Sequence, residues 1–205
     1  MHTQSLVRPS APVSVSTLRV LGLAALLGSP AMLIEVYRHG LQRVANEDTD
    51  PLGALLYGLF SVGWLCAMIG LRHLHAAGYG KVGRALMNVV VVTVTLAIGQ
   101  SVMDLLRVPT SHPLYMVTDL AWPLSMVLTF AVSVAALFAR VLPLWGRLVL
   151  VFCGISLPIN ILVMVLTGDM IGGASFAWHT FLGWAGLGLV LLLARPGSEQ
   201  FPAQA

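Results

Sequence analysis

Charge is what this sequence has least of. Only 9% of its 205 residues are charged, 58% are hydrophobic, and the mean hydropathy is +0.89. A soluble domain carries about 25% charged residues, so a water-exposed globule is excluded and the chain belongs in a bilayer. The two cysteines, Cys66 and Cys153, both fall inside apolar runs. There they read as small buried hydrophobes, not as a disulfide or a redox pair. No CxxC, HxxxH or HExxH spacing occurs, which leaves no ready metal motif. A GxxxxGK[ST] loop and a GxSxG elbow are also missing, and no loop is long enough for a nucleotide domain, so the chain alone is no ATP-driven pump. The formal charge of +3 comes from eleven Lys and Arg scattered over helix ends without a basic patch, so nucleic acid is excluded as a partner.

What is present is a series of long apolar runs. Uncharged or nearly uncharged stretches cover Val20 to Ile34, Leu52 to Leu71, Ala85 to Leu106, Leu114 to Ala139, Leu148 to Leu166 and Ala174 to Ala194. Extended by Arg19 and by Glu35 to Tyr37, the first joins the others as a membrane-crossing helix, since a core about 30 Å thick needs roughly 20 residues at about 1.5 Å each. The valine run Val89 to Val92 has strand propensity, but a lone strand cannot pair its backbone in lipid and helix prevails. The expected fold is therefore all-α, an integral membrane bundle of six transmembrane helices in one domain over 18–195. Flexible tails of 1–17 and 196–205 flank it. A cleaved leader is the rival for the first run, because Ser29 and Ala31 put small residues near a possible cut; Pro30 and the continuing apolar run oppose it. In general style the chain resembles small six-helix bacterial membrane proteins, without a family motif.

Six crossings put both termini on one side. With the amino terminus inside, Arg8, Arg19, Arg72, Lys81, Arg84, Arg140, Arg147 and Arg195 are cytoplasmic, and only Arg38, Arg43 and Arg107 are outside. The positive-inside rule thus predicts cytoplasmic termini and a bacterial inner-membrane, multi-pass protein. All acids except Glu199 then lie in outer loops or in the outer halves of the helices. Small residues, Ala54-xxx-Gly58, Gly63-xxx-Ala67 and Gly183, Gly186 and Gly188, offer faces for close helix contact and for oligomers.

The polar residues inside the runs are the candidates for function. Gln100, Asp104 and Arg107 follow at i, i+4 and i+7 and form one stripe rising toward the outer surface. A hairpin then brings Asp119 of the next helix alongside, and Pro123 frees the backbone carbonyl of Asp119. An acid at such a place faces the bundle interior, a water-filled cavity or a partner. The bland readings are an Asp104–Arg107 surface pair and a structural hydrogen bond for Asp119. The functional reading is an outer polar pocket of Asp119, Asp104 and Gln100, with Glu35, His179 and Arg107 as further candidates for a small-molecule or ion ligand. His39, His112 and His179 are the candidate metal ligands; no cofactor is otherwise indicated.

The sequence therefore points to a non-enzymatic membrane protein, either a small transporter or permease-like protein or an accessory and binding subunit. An intramembrane enzyme working on lipid from the outer leaflet, metal-assisted, is the alternative, and a purely structural subunit is the third. Reporter fusions test the topology: one after Ala45 is expected to read external and one after Gly78 cytoplasmic, and the reverse pattern would invert the pocket.

Overall fold

The computed structural model describes residues 13–38 and 50–195, and among them it contains helices and no strand. The order is α1 (Val15–Gly28), α2 (Ala31–Arg38), α3 (Pro51–His73), α4 (Lys81–Leu105), α5 (Pro113–Ala139), α6 (Leu144–Gly154), α7 (Ser156–Thr167) and α8 (Asp169–Leu193). Five apolar stretches, Val15–Arg38, Pro51–His73, Lys81–Leu105, Pro113–Ala139 and Asp169–Leu193, are long enough to cross a membrane, and α6 with α7 makes a sixth if that bent pair is one span. This is the build of a multi-pass membrane protein. The valine run lies inside α4, as the demand for backbone pairing in lipid requires.

The helix starts follow local chemistry. Asp50 caps α3 by accepting from the Gly53 amide at 2.6 Å, with Pro51 in the first turn where its missing N–H costs nothing. His112 caps α5 through Nδ1, which accepts from the Leu114 amide at 3.2 Å, ahead of Pro113. At the other ends, α4 and α5 are followed by non-glycine residues in the left-handed region, Arg107 at φ 53° and Arg140 at φ 54°, which turn the chain sharply. The turn before α4 carries Gly78 and Gly80, and Gly83 lies in the first turn of α4. Its spelling Gly78-Tyr79-Gly80-Lys81-Val82-Gly83 has the GxGxxG form, but it joins two apolar helices and lacks the preceding strand that makes such a loop bind a dinucleotide.

Two crossings that the sequence reads as single helices are interrupted. The first divides at Ser29 and Pro30, where the Ser29 hydroxyl donates to the Leu26 carbonyl at 2.8 Å. The fifth divides at Ile155 with a bend of 46°. Pro158 has no amide to offer the carbonyl of Gly154, so the helix bends where its ladder is already broken. Pro123 has no such effect, and α5 runs through it unbroken.

One half of the bundle is closed by backbone-to-backbone packing. A Cβ on Gly22 of α1 would lie 2.7 Å from the Gly188 carbonyl of α8, and one on Gly188 would lie 2.8 Å from the Gly22 carbonyl. On α3, a Cβ at Gly63 would come within 3.1 Å of the Gly28 Cα, and at Gly183 within 2.9 Å of the Cys153 sulfur. Leu18, Ala25, Met68, Leu71, Leu187 and Leu191 fill the space between. Lipid gives no hydrophobic drive for helix association, so this close contact is what holds the helices together.

Gly63→Leu and Gly183→Leu are each expected to lower the Tm in detergent, by an overpacking cost of about 1–3 kcal/mol or more. Gly146→Ala, whose Cβ would sit at an ordinary 3.5 Å from Val190, is expected to be tolerated. Equal melting of all three proteins and wild type would show that the glycines are not contact points.

Candidate functional site

The other half of the bundle is open. A cavity of about 590 Å³ lies among the end of α2, the start of α3, the end of α4, the start of α5, α7 and the start of α8. The segments beyond both helix breaks, α2 and α7, contribute walls, while α1 and α6 contribute none.

All five carboxylates among the described residues, Glu35, Asp50, Asp104, Asp119 and Asp169, line this one cavity, and no described basic side chain lines it. They fall into two groups. Glu35 and Asp50 share Arg38, whose guanidinium reaches Glu35 Oε2 at 3.0 Å and both Asp50 oxygens at 2.6 and 2.8 Å. Glu35 is buried to 8% exposure and needs that partner. Gly53 gives it room, since a Cβ there would stand 2.8 Å from Glu35 Oε1. The start of α3 adds the positive end of a helix. Arg38 thus ties the far end of α2 to the cap of α3, and Trp178 Nε1, donating to Tyr37 Oη at 3.0 Å, ties α2 to α8.

Asp104, Asp119 and Asp169 make no ion pair among the described residues. Asp104 Oδ1 accepts from the Tyr115 hydroxyl at 2.9 Å, and Asp119 Oδ1 accepts from Gln100 Nε2 at 2.8 Å. Both bonds cross between α4 and α5, so the hairpin brings the two acids to one wall. Each carboxylate keeps acceptor capacity beyond its single bond. Asp169 sits in the first turn of α8, where the helix end favours negative charge. Opposite, Asn160 of α7 is held by Ser156 and by Ser175, whose hydroxyl donates to Asn160 Oδ1 at 2.8 Å.

The floor is aromatic. Trp122 and Phe176 line the cavity with ring centroids 5.7 Å apart, and Trp122 meets Trp64 edge-on at 6.5 Å and 84°. Trp64 in turn stands edge-on to Trp184 at 5.4 Å and 88°, with Phe60 against both. The Nε1 groups of Trp64, Trp122 and Trp184 are buried with no hydrogen-bond partner. In this setting the aromatic faces of neighbouring rings are the acceptors at hand.

Of the sequence candidates, the fold brings Glu35, Gln100, Asp104 and Asp119 to the cavity and leaves three elsewhere. Arg107 lies past the end of α4 in its left-handed turn and makes no ion pair with Asp104, whose place as partner is taken by Tyr115. His179 bonds through Nε2 to the Phe152 carbonyl at 2.5 Å and stacks on the Phe152 ring with centroids 4.0 Å apart. A carbonyl only accepts, so Nε2 carries the proton and the histidine supports the bent helix from α8. His112 is occupied as the cap of α5, and His39 lies outside the described residues. Among the described residues no three His, Cys, Asp or Glu side chains come within reach of one metal ion.

Sequence reading missed Asp50, Asp169, Tyr57, Tyr115, Trp122 and Phe176 as wall residues. Asp50 reads as part of a hydrated turn, and the aromatics read as ordinary membrane-helix content. The available signal was register: Tyr115, Asp119 and Trp122 follow at i, i+4 and i+7 on one face of α5. No family model matches the chain, and neither a curated protein nor a solved structure shows significant similarity to it.

His179→Phe keeps the stack and removes the donor to Phe152, and is expected to cost about 0.5–1.5 kcal/mol of stability through the lost hydrogen bond. Chemical denaturation in detergent measures this. An unchanged midpoint would show that the bend needs no support from α8.

Proposed function

We propose that this chain is a six-span, permease-like protein of the bacterial inner membrane, with both termini cytoplasmic, that takes up a cation in an outward-facing cavity. The observation that carries the reading is the concentration of every described carboxylate on one cavity, with no basic side chain among the described residues of its wall. Among the described residues three of the five carboxylates make no ion pair, which favours positive charge in the cavity over negative charge. Its outward direction follows from the basic residues, eight of the eleven lying at the opposite end on the six-span topology. Transport rather than passive binding is supported by the bent pair α6 and α7, a discontinuous helix at the cavity wall of the kind found at the sites of carriers.

The test uses purified full-length protein in detergent at constant ionic strength. Tetramethylammonium chloride is expected to raise the Tm saturably, with stabilisation of about 2.7 kcal/mol at a hundred times the Kd. The Asp104→Asn/Asp119→Asn protein is expected to lose the effect, and varying the anion is expected to do nothing. Stabilisation that follows ionic strength alone, or that persists in the double variant, would contradict cation binding. Flux of the same cation into proteoliposomes then separates carrier from accessory subunit.

A further inference from the structure

Building on the cation-binding reading, we infer that the cation is an organic ammonium carrying an apolar, ring-sized group, with its charged head near Asp104 and Asp119 and its apolar part against Trp122 and Phe176.

Size is the first argument. A volume of about 590 Å³ falls in the range of small-molecule sites, roughly 300–1,000 Å³. A bare ion occupies a small fraction of that, and a proton needs no cavity. The second argument is the arrangement of the acids. A divalent metal site gathers several charged or imidazole ligands within about 2.0–2.6 Å of one point, and no three acidic, histidine or cysteine groups converge among the described residues. Asp104 and Asp119 are each anchored by a neutral donor from the neighbouring helix and present their remaining lone pairs separately. Negative charge spread along a wall suits a bulky ammonium, whose own charge is diffuse and which demands no coordination sphere.

The third argument is independent of charge. Tyr57, Tyr115, Trp122 and Phe176 line the same space as the acids. Aromatic faces attract an ammonium through the ring quadrupole and attract a ring by stacking, and a desolvated site strengthens the first effect. Trp122 is braced between Phe176 and Trp64, so it is presented as a fixed surface. Its Nε1 is already buried away from water, with no N, O or S partner among the described residues, so a ring laid against the indole displaces no hydrogen bond. A hydrated metal ion or a linear polyamine would leave this apolar floor unused.

The experiment compares three probes on the detergent-solubilised full chain: benzyltrimethylammonium, tetramethylammonium, and the uncharged carbon isostere neopentylbenzene. Binding is followed by tryptophan fluorescence and calorimetry. Benzyltrimethylammonium is expected to bind about tenfold or more tighter than tetramethylammonium, in keeping with a desolvated aromatic contact, and the neutral isostere is expected not to compete. Trp122→Leu is expected to erase the preference while tetramethylammonium still binds. Trp122→Phe is expected to retain most of it, which guards against a folding defect in the leucine variant. Phe176→Leu gives a second reading of the same floor. Equal affinities for the two ammonium ions, or a preference that survives both floor variants, would overturn the organic-cation inference while leaving the cation reading intact. Binding of sodium or calcium without either ammonium would do the same. Competition by the neutral isostere would show an apolar pocket instead, and failure of every cation to bind would bring down the underlying reading itself.

Discussion

Placing a carboxylate at the middle of a bilayer costs about 2.5–3.5 kcal/mol on insertion scales. Much of the architecture described above is a response to that cost. Glu35 and Asp50 are matched to one guanidinium, Asp50 and Asp169 stand at helix starts, and Asp104 and Asp119 accept bonds from a tyrosine and a glutamine across a helix pair. None of these arrangements works for a side chain facing lipid. They work only if the helix segments leave a shared polar space, and α7, which leaves the line of α6 at a bend of 46°, forms one of its walls.

The closed half of the bundle makes the open half possible. Gly22 against Gly188 and Gly28 against the α3 backbone bring helices to distances that no side chain would allow. Such contact holds α1, α3 and α8 together without help from the cavity end, where polar walls contribute little packing. Between the two halves stands the ring cluster of Phe60, Trp64, Trp184, Trp122 and Phe176. It is apolar toward the packed half and presents two of its rings to the cavity.

Hydropathy made the long helices legible in the sequence, since run length and the absence of charge follow directly from bilayer thickness. It could not show that the first and fifth runs are broken. Pro30, Pro123 and Pro158 look alike as letters, yet only two accompany a break, because the outcome depends on which neighbouring groups take up the freed carbonyls. The stripe of Gln100 and Asp104 and its approach to Asp119 were readable because helical spacing and a short hairpin fix them. Tyr115 displacing Arg107 as partner of Asp104 was not, since it depends on the left-handed turn that carries Arg107 away from α4. His179 shows the same limit. A histidine inside a crossing suggests a ligand by its chemistry, but its actual acceptor is a backbone carbonyl on α6, distant in sequence.

The claim that most of this depends on is that the cavity is a negatively charged space open to one side of the membrane. A cysteine at Asn160, in a chain with Cys66 and Cys153 replaced by alanine, tests it through the rates of two membrane-impermeant thiosulfonate reagents of opposite charge. The account predicts that the trimethylammonium reagent reacts far faster than the sulfonate reagent, only from the outer side, and that Asp104→Asn with Asp119→Asn narrows the ratio. Equal rates for the two reagents, or faster reaction of the anion, would contradict it.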